Sequence, residues 1–321
     1  MTPLAPGLGY IDLNFLGFTE IIATAVMQGP GGVALIDPGP STSLENLRAA
    51  LSRKGISIAD VRQLLLTHIH LDHAGATGSL VKENPAIEVL VHERGAPHMV
   101  DPSKLMASAT RLYGQHDMDR LWGPFLPVPG DRIRPLAGGE RIQIAGRELE
   151  VAYTPGHASH HVSYFDPSSR IAFVGDTAGI RRNSHLPEKV QTRKGTYVMP
   201  PTPPPDIDLE AWRESEDRIL AWEPDTLFLT HFGPHNGARL HFQELMDHLA
   251  EWSRIVRRLL ADESIDDGMR QQKFVDEATL QLKREVGEQE AEKYSRAGRI
   301  DYSWQGLSRY WRKQNVPARS T

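Results

Sequence analysis

The sequence predicts a mixed α/β protein that ends in a run of helices. Two observations carry this expectation. Short runs at 64–66, 89–91 and 226–230, wholly apolar in the first two and apolar between threonines in the third, read as strands buried on both faces, and they alternate with segments of helical period. From about Leu240 onward the residues Leu240, Leu245, Leu249, Trp252, Val256 and Leu260 recur near a 3.6 period, and strand signals stop.

The elements follow in order. Residues 11–15 and 21–27 read as strands, and Gly29-Pro30-Gly31-Gly32 turns the second into a hairpin partner at 33–36. Asp37-Pro38-Gly39-Pro40 ends that strand. A helix follows, with Thr42-x-x-Glu45 as a capping box, Leu44, Leu47 and Leu51 on one face, and Gly55 as its stop. The buried strand at 64–66 runs into Thr67-His68-Ile69-His70-Leu71-Asp72-His73. A short helix ending near Pro85 leads to the strand at 89–91. In the second half, 142–144 and 149–153 flank an Ala145-Gly146 turn, and 162–165 pairs with 171–174. Five prolines in the six positions 200–205 make a stiff extended insertion. Asp208 caps a helix starting at Leu209, and 226–230 ends at His231. Helices separated by a break at Gly268 fill 262–321, and the tail is mildly basic.

Composition narrows the function. The 321 residues include 40% hydrophobic and 24% charged side chains, enough for a sizeable core and about two domains. A net charge of −5 supplies no global field for nucleic acid or anionic lipid. The absence of cysteine excludes disulfides, thiolate metal sites and cysteine nucleophiles together. The N-terminal residues lack the basic start and apolar core of a secretory signal, and no run of about 18 apolar residues spans a membrane. The expectation is a cytoplasmic protein acting on a small-molecule substrate, without nucleic-acid or membrane partners; a homo-oligomer is compatible with the sequence.

The chemistry concentrates at strand ends. His68-x-His70-x-Asp72-His73 gathers three imidazoles and a carboxylate in six residues after a buried strand. His157 follows the strand ending at Tyr153, Asp176 follows 172–174, and His231 follows 227–230. Carboxyl ends of strands are where α/β sheets collect their sites. Imidazole nitrogen and carboxylate oxygen suit zinc and similar divalent ions, and seven such ligands suffice for two. Each of His157, Asp176 and His231 alone reads as a turn residue; together with the cluster they read as ligands.

These motifs resemble, in order and over roughly residues 8–260, the metallo-β-lactamase superfamily of metallohydrolases. The resemblance implies a four-layer αββα sandwich over 1–260, with the proline-rich insertion at about 180–208 and a helical C-terminal extension at 261–321 packing near the cleft. It implies one ion held by His68, His70 and His157, a second held by Asp72, His73 and His231, and Asp176 bridging them. Asp37, in Ile36-Asp37-Pro38-Gly39, would support the ligand loop from behind without binding metal. Two divalent ions, most simply Zn2+ with Fe or Mn as alternatives, would lower the pKa of a shared water and make hydroxide near neutral pH. Asp72 would orient that hydroxide or carry a proton to the leaving group.

Other residues carry competing readings. His160 and His161 read as supports for the ligands, and His92 as structural. His98, His116, His185, His235, His241 and His248 lack motif context, so solvent-facing or capping roles are the expectation. Tyr197 is a candidate oxyanion donor, with anchoring of the proline-rich loop as its rival role. Tyr302, Trp304, Tyr310 and Trp311 read as helix-packing residues rather than pocket lining.

Within the family the helical tail resembles the glyoxalase-II-like and lactonase-like branch. That implies hydrolysis of an ester-type bond, a thioester, lactone or related group. The alternatives are an iron-dependent oxidoreductase of the same fold, similar to the persulfide dioxygenases, and a phosphodiesterase or β-lactamase type of hydrolase.

Overall fold

The computed structural model describes residues 1–182 and 196–314. Two mixed sheets form its centre. The first runs in chain order through β1 (Thr2–Ala5), β2 (Leu8–Asp12), β3 (Ala23–Gly29), β4 (Gly32–Ile36), β5 (Val61–Leu65), β6 (Glu88–His92) and β7 (Ile133–Leu136). It is antiparallel as far as β4 and parallel from there to β7. The second sheet holds β8 (Arg141–Ile144), β9 (Arg147–Tyr153), β10 (Val162–Asp166), β11 (Ile171–Phe173), β12 (Thr226–Leu229) and β13 (Gly233–Asn236) in sequential neighbour order. Only its β11–β12 pair is parallel.

The apolar runs are explained by burial on both faces. Ala34, Ile36, Leu65 and Leu90 point between the sheets toward Ile142, Leu149, Val151 and Phe173. Their neighbours Leu35, Leu64, Val89 and Val91 point outward. There they meet α1 (Leu44–Ser52) and, beyond the short α2 (Leu71–Ala74), α3 (Thr77–Glu83), through Leu47, Leu51, Leu80 and Val81. A chain of short helices follows: α4 (Ala96–Val100), α5 (Ser103–Tyr113) and α6 (Gln115–Asp117). On the far side, Phe165, Ala172, Leu227 and Leu229 of the second sheet pack under α7 (Leu209–Leu220) and α8 (Ala238–Leu260) through Ile219, Phe242 and Leu245. The layers are therefore helix, sheet, sheet, helix, the αββα sandwich expected.

The C-terminal helices are α9 (Asp267–Val286), α10 (Glu288–Ala297) and α11 (Ile300–Gln314). They share one core with the chain around the proline-rich segment, in which Tyr197, Met199, Trp212, Trp252, Phe274, Tyr294 and Trp304 interlock. Arg182, 1% exposed, clamps this layer to the first sheet. Its guanidinium donates to Glu290 Oε1 (2.7 Å), to the Glu20 carboxylate (3.2 Å) and to the Glu20 carbonyl. No helix among the described residues is long and apolar enough to cross a membrane.

Several local expectations change. The strand expected through Phe15 stops at Asp12, because its carboxylate accepts hydrogen bonds from the backbone N–H groups of Asn14 and Glu20 and closes a loop there. The capping box at Thr42 does not form: Thr42 Oγ1 donates to the Leu121 carbonyl, and α1 starts after a 3₁₀ turn at Ser41–Ser43. A capping box does form at Ser57 and Asp60. Gly268 lies inside α9 rather than at the break; Asp266 caps that helix by accepting from Met269 N–H. Leu240, expected on the apolar stripe, is 73% exposed on the first turn of α8. Asp208 caps α7 as expected, accepting from Ala211 N–H at 3.0 Å.

Candidate metal centre

Four loops at strand ends deliver the seven side chains to one place. The segment after β5 carries His68 and His70, and α2 turns Asp72 and His73 back toward them. His157 arrives from the loop after β9, Asp176 from the 3₁₀ turn after β11, and His231 from the end of β12. Three overlapping groups result, each with ligand atoms within 4.8 Å of one another: His68, His70 and His157; His68, His73 and Asp176; Asp72, His73 and His231.

Asp176 stands between these groups. Its Oδ1 lies 3.3 Å from His73 Nε2 and 3.6 Å from His231 Nε2, while its Oδ2 lies 3.5 Å from His157 Nε2. His231 Nε2 is 3.3 Å from Asp72 Oδ2, and His157 Nε2 is 3.0 Å from His70 Nδ1. Each oxygen of the one carboxylate thus faces a different set of ring nitrogens.

The far nitrogens of four of the five rings are held, which fixes the tautomer and direction of each. His157 Nδ1–H donates to the Pro201 carbonyl (2.8 Å), and His231 Nδ1–H donates to the Ile21 carbonyl (2.7 Å). His73 Nδ1 donates to Asp37 Oδ2 (2.8 Å). His68 Nδ1 lies 3.1 Å from Thr67 Oγ1, whose hydroxyl donates to the same Asp37 oxygen at 2.7 Å. Thr230 Oγ1 also donates to Asp37 Oδ2, and Thr67 N–H donates to Oδ1, both at 2.8 Å. Fully buried, Asp37 ties the loop after β5 to the end of β12 through one carboxylate and does not itself enter the ligand groups.

The inner atoms lack ordinary partners. His68 Nε2, His73 Nε2 and Asp176 Oδ1 are buried without a hydrogen bond, a costly state that a shared cation relieves. The mutual fields are strong. Burial holds His68 well below the usual imidazole range, and burial with the neighbouring His157 brings His70 down to about 4. Burial opposes the proton on His73, but the carboxylates of Asp176, Asp37 and Asp72 outweigh it and raise its pKa well above the usual value. Burial likewise opposes the charge on Asp72, and the nearby His73 and His231 still lower it to about 2. Orphaned nitrogens and ionised carboxylates facing one small space fit a divalent-ion centre.

Two glycines allow the approach. Gly156 has φ 132°, and an added Cβ would lie 2.4 Å from Trp212 Cα, so only glycine lets the His157 loop lie against α7. Gly175 has φ 46°, and a Cβ there would meet Thr67 Oγ1 at 2.5 Å and His161 Nε2 at 2.7 Å. The sequence reading missed both, together with Thr67, Thr230 and Trp212. Trp212 lies edge-on to His157 at 5.8 Å and donates its Nε1–H to the Thr177 carbonyl at 2.7 Å.

The remaining expected residues separate. His161 stacks behind His68 (5.0 Å between ring centres) and is bonded to Thr154 Oγ1 at 3.0 Å. His160 lines the cleft, its ring centre 5.7 Å from that of His70. His92 stacks on Tyr153. The solvent-facing expectation fails for His235 and His241, which are buried: His235 Nε2–H donates to backbone carbonyls including Arg181 O, and His241 Nε2–H donates to the Ala178 carbonyl at 2.7 Å. His248 Nδ1–H donates to the Val198 carbonyl, whereas His116 is exposed and His98 lines the cleft. His185 lies outside the described residues.

Tyr197 is not at the cleft. It is fully buried in the C-terminal core, stacked on His248 at 3.9 Å, with its hydroxyl beside the Trp252 indole. The chain around 196–207 packs it inward, so an oxyanion-donor role has no geometric basis. Trp304 and Tyr310 pack as expected, and Trp311 donates to Ser253, but Tyr302 lines the cleft.

Above the centre opens a cavity of about 1030 Å³, floored by His70, Asp72, His157, Asp176 and His231. The loop at 13–22, α5, the proline-rich segment and the α10–α11 corner form its walls.

Comparison with known proteins agrees with this geometry. Residues 19–231 match the family model of the metallo-beta-lactamase superfamily. A metallo-beta-lactamase fold-containing protein of Sulfurisphaera tokodaii is 29% identical over 232 residues, 71% of this chain and 78% of that protein. A hydroxyacylglutathione hydrolase of Legionella pneumophila is 26% identical over 156 residues, which span 49% of this chain and only 46% of that enzyme. The crystal structure of a metallo-beta-lactamase family protein from Thermus thermophilus has the same fold, with a TM-score of 0.68 at 23% identity over 99% of this chain and 97% of that one. With the match covering all four ligand loops in order, the chain belongs to the metallo-beta-lactamase superfamily of metallo-hydrolases.

Proposed function

We propose that the protein hydrolyses an ester-type bond, a thioester, a lactone or a related group, using two divalent ions, with Zn2+ the first choice. The observation that carries this reading is Asp176, one carboxylate whose two oxygens face two separate imidazole sets. Three complete ligand groups, including Asp72, His73 and His231, favour a pair of ions over the single iron of the alternative oxidoreductase reading.

When bound, the ions supply hydroxide near neutral pH and polarise the scissile carbonyl. The chain's own residues do the rest. His68, His70 and His157 would hold one ion, Asp72, His73 and His231 the other, and Asp176 would touch both. Asp72 is, with His70, one of the two ligands that are only partly buried, its side chain 23% exposed against 6% for Asp176. It is placed to orient the nucleophile and to pass a proton toward the departing group. Asp37 keeps His73 and the Thr67 hydroxyl in register. A relative named hydroxyacylglutathione hydrolase, by its name a hydrolase of an acyl compound, supports an acyl bond as the target, with 46% of its length matched.

The test is turnover of a panel of thioesters, lactones, β-lactams and phosphodiesters by protein whose metal content is measured in parallel. Turnover of an ester-type member with two ions bound supports the reading. A doubly loaded protein inert toward the whole panel removes it.

A further inference from the structure

The cavity over the centre has two chemically different linings. One is aromatic and continuous: Phe15 stacks on Trp122 at 5.8 Å, Trp122 meets Tyr113 edge-on at 5.4 Å, and Tyr113 meets Tyr302 edge-on at 5.1 Å. Leu16 and Phe18 extend it onto the lip, where they are 40% and 44% exposed. The other is basic. Seven Lys and Arg side chains line the cavity against three carboxylates, and two of those three, Asp72 and Asp176, belong to the candidate metal centre. The chain as a whole carries −5, so this excess of positive charge is local.

Existing partners do not use up that charge. Arg120, Arg296 and Arg299 pair with Asp117, Glu292 and Asp301. The other cations, Arg94, Lys104, Arg111 and Arg309, have no carboxylate within 4.0 Å among the described residues. Lys104, Ser108 and Arg111 are spaced by four and three along α5 and so share one face, and Gln305 and Arg309 do the same on α11. Positive side chains around a cleft with low-dielectric walls focus potential into it and draw in anions. Two bound divalent ions would add to this field, so the basic lining is not there to balance the ligand carboxylates.

We propose that the substrate is an anionic amphiphile whose apolar part lies along the Phe15–Trp122–Tyr113–Tyr302 wall and whose phosphate or carboxylate rests among Lys104, Arg111 and Arg309. The inference relies on the hydrolase reading only for where the scissile bond sits. A cavity of about 1030 Å³ stands at the upper end of the roughly 300–1,000 Å³ usual for small-molecule pockets, which suits a ligand with two distinct ends.

The test separates binding from turnover by using thioethers, which cannot be hydrolysed. Calorimetric Kd values are measured on the metal-loaded protein for three probes: S-hexyl-coenzyme A, charged on the leaving-group side; S-(5-carboxypentyl)-N-acetylcysteamine, charged on the acyl side; and neutral S-hexyl-N-acetylcysteamine. At least one charged probe binds about tenfold or more tighter than the neutral one, and which probe does so tells which side carries the charge. That advantage shrinks as salt shortens the screening length from about 10 Å at 0.1 M to about 3 Å at 1 M. It shrinks several-fold in the triple variant Lys104→Ala, Arg111→Ala, Arg309→Ala, whose three sites are solvent-exposed and leave the core untouched. Equal affinity for all three probes, or a preference that ignores both salt and the variant, overturns the proposal. The hydrolase reading fails separately, if the matching thioesters bind but are not cleaved.

Discussion

Replacing Asp37 by Asn tests whether the carboxylate behind the ligands organises the centre. The substitution keeps size and shape, and Asn tolerates the left-handed backbone (φ 51°) that Asp37 adopts. Oδ2 accepts three hydrogen bonds, from Thr67 Oγ1, His73 Nδ1 and Thr230 Oγ1, and Oδ1 accepts one from Thr67 N–H. If the Asn oxygen keeps the three, its NH2 group faces the Thr67 N–H, and one buried donor loses its acceptor at about 1–3 kcal/mol. The other three fall from charge-assisted to neutral strength, each about 1 kcal/mol weaker. The sum is roughly 4–6 kcal/mol. For a chain of this length, unfolding entropy near 2.1 cal/mol/K per residue converts that to a fall of about 6–9 °C in Tm. Metal affinity should drop by about 10–100-fold, because His73 loses the anion that fixes its tautomer. Thermal unfolding of metal-free protein and competitive chelator titration measure the two effects. A variant within about 1 kcal/mol of the parent that binds metal equally well would refute the reasoning.

Other substitutions probe separate links. Gly175→Ala should cost about 1–3 kcal/mol and weaken metal binding, since its φ of 46° and the 2.5 Å approach to Thr67 Oγ1 force Asp176 to move; unchanged melting and metal content would contradict this. Tyr197→Phe should leave turnover unchanged and stability within about 1 kcal/mol, because the hydroxyl lies beside the Trp252 indole in the C-terminal core, away from the cleft; a clear fall in kcat would restore it to the cleft chemistry. Burial and then the Arg181 charge lower His235 to about 3, so it stays neutral in the fold while the unfolded chain takes up a proton below about 6.5. Stability should therefore fall as pH drops from about 6.5 toward 3, with this residue contributing up to about 1.4 kcal/mol per pH unit. His235→Gln should flatten the urea-midpoint profile over that window, and an identical slope would show that His235 does not carry it.

The layers and the ligands were legible in the sequence for the same reason. Strands buried on both faces leave apolar runs, and a ligand placed straight after such a run, as His68 after Leu66 or His231 after Thr230, is visible as a polar break. What sequence could not reveal depends on which surfaces meet. His235 and His241 are buried against the 178–181 segment, whose carbonyls they meet from more than 50 residues along the chain, and Tyr197 is buried by the C-terminal helices. Thr67 and Thr230 look like ordinary strand-end threonines until Asp37 is seen between them. Asp12 ends β2 early through two backbone contacts, which no periodicity signals. Likewise the basic lining of the cleft is drawn from α5, the turn holding Arg120, α10 and α11 with their connection, and the loop holding Arg94, segments unremarkable one at a time.

Metal quantification on wild-type protein, on His70→Ala and on Asp176→Ala, each saturated with divalent ions and then freed of excess, tests the central claim most directly. The account predicts two ions per chain for the wild type and fewer for both variants, with the fold retained by circular dichroism. A wild-type chain that holds one ion or none, or an Asp176→Ala protein that still holds two, would contradict it.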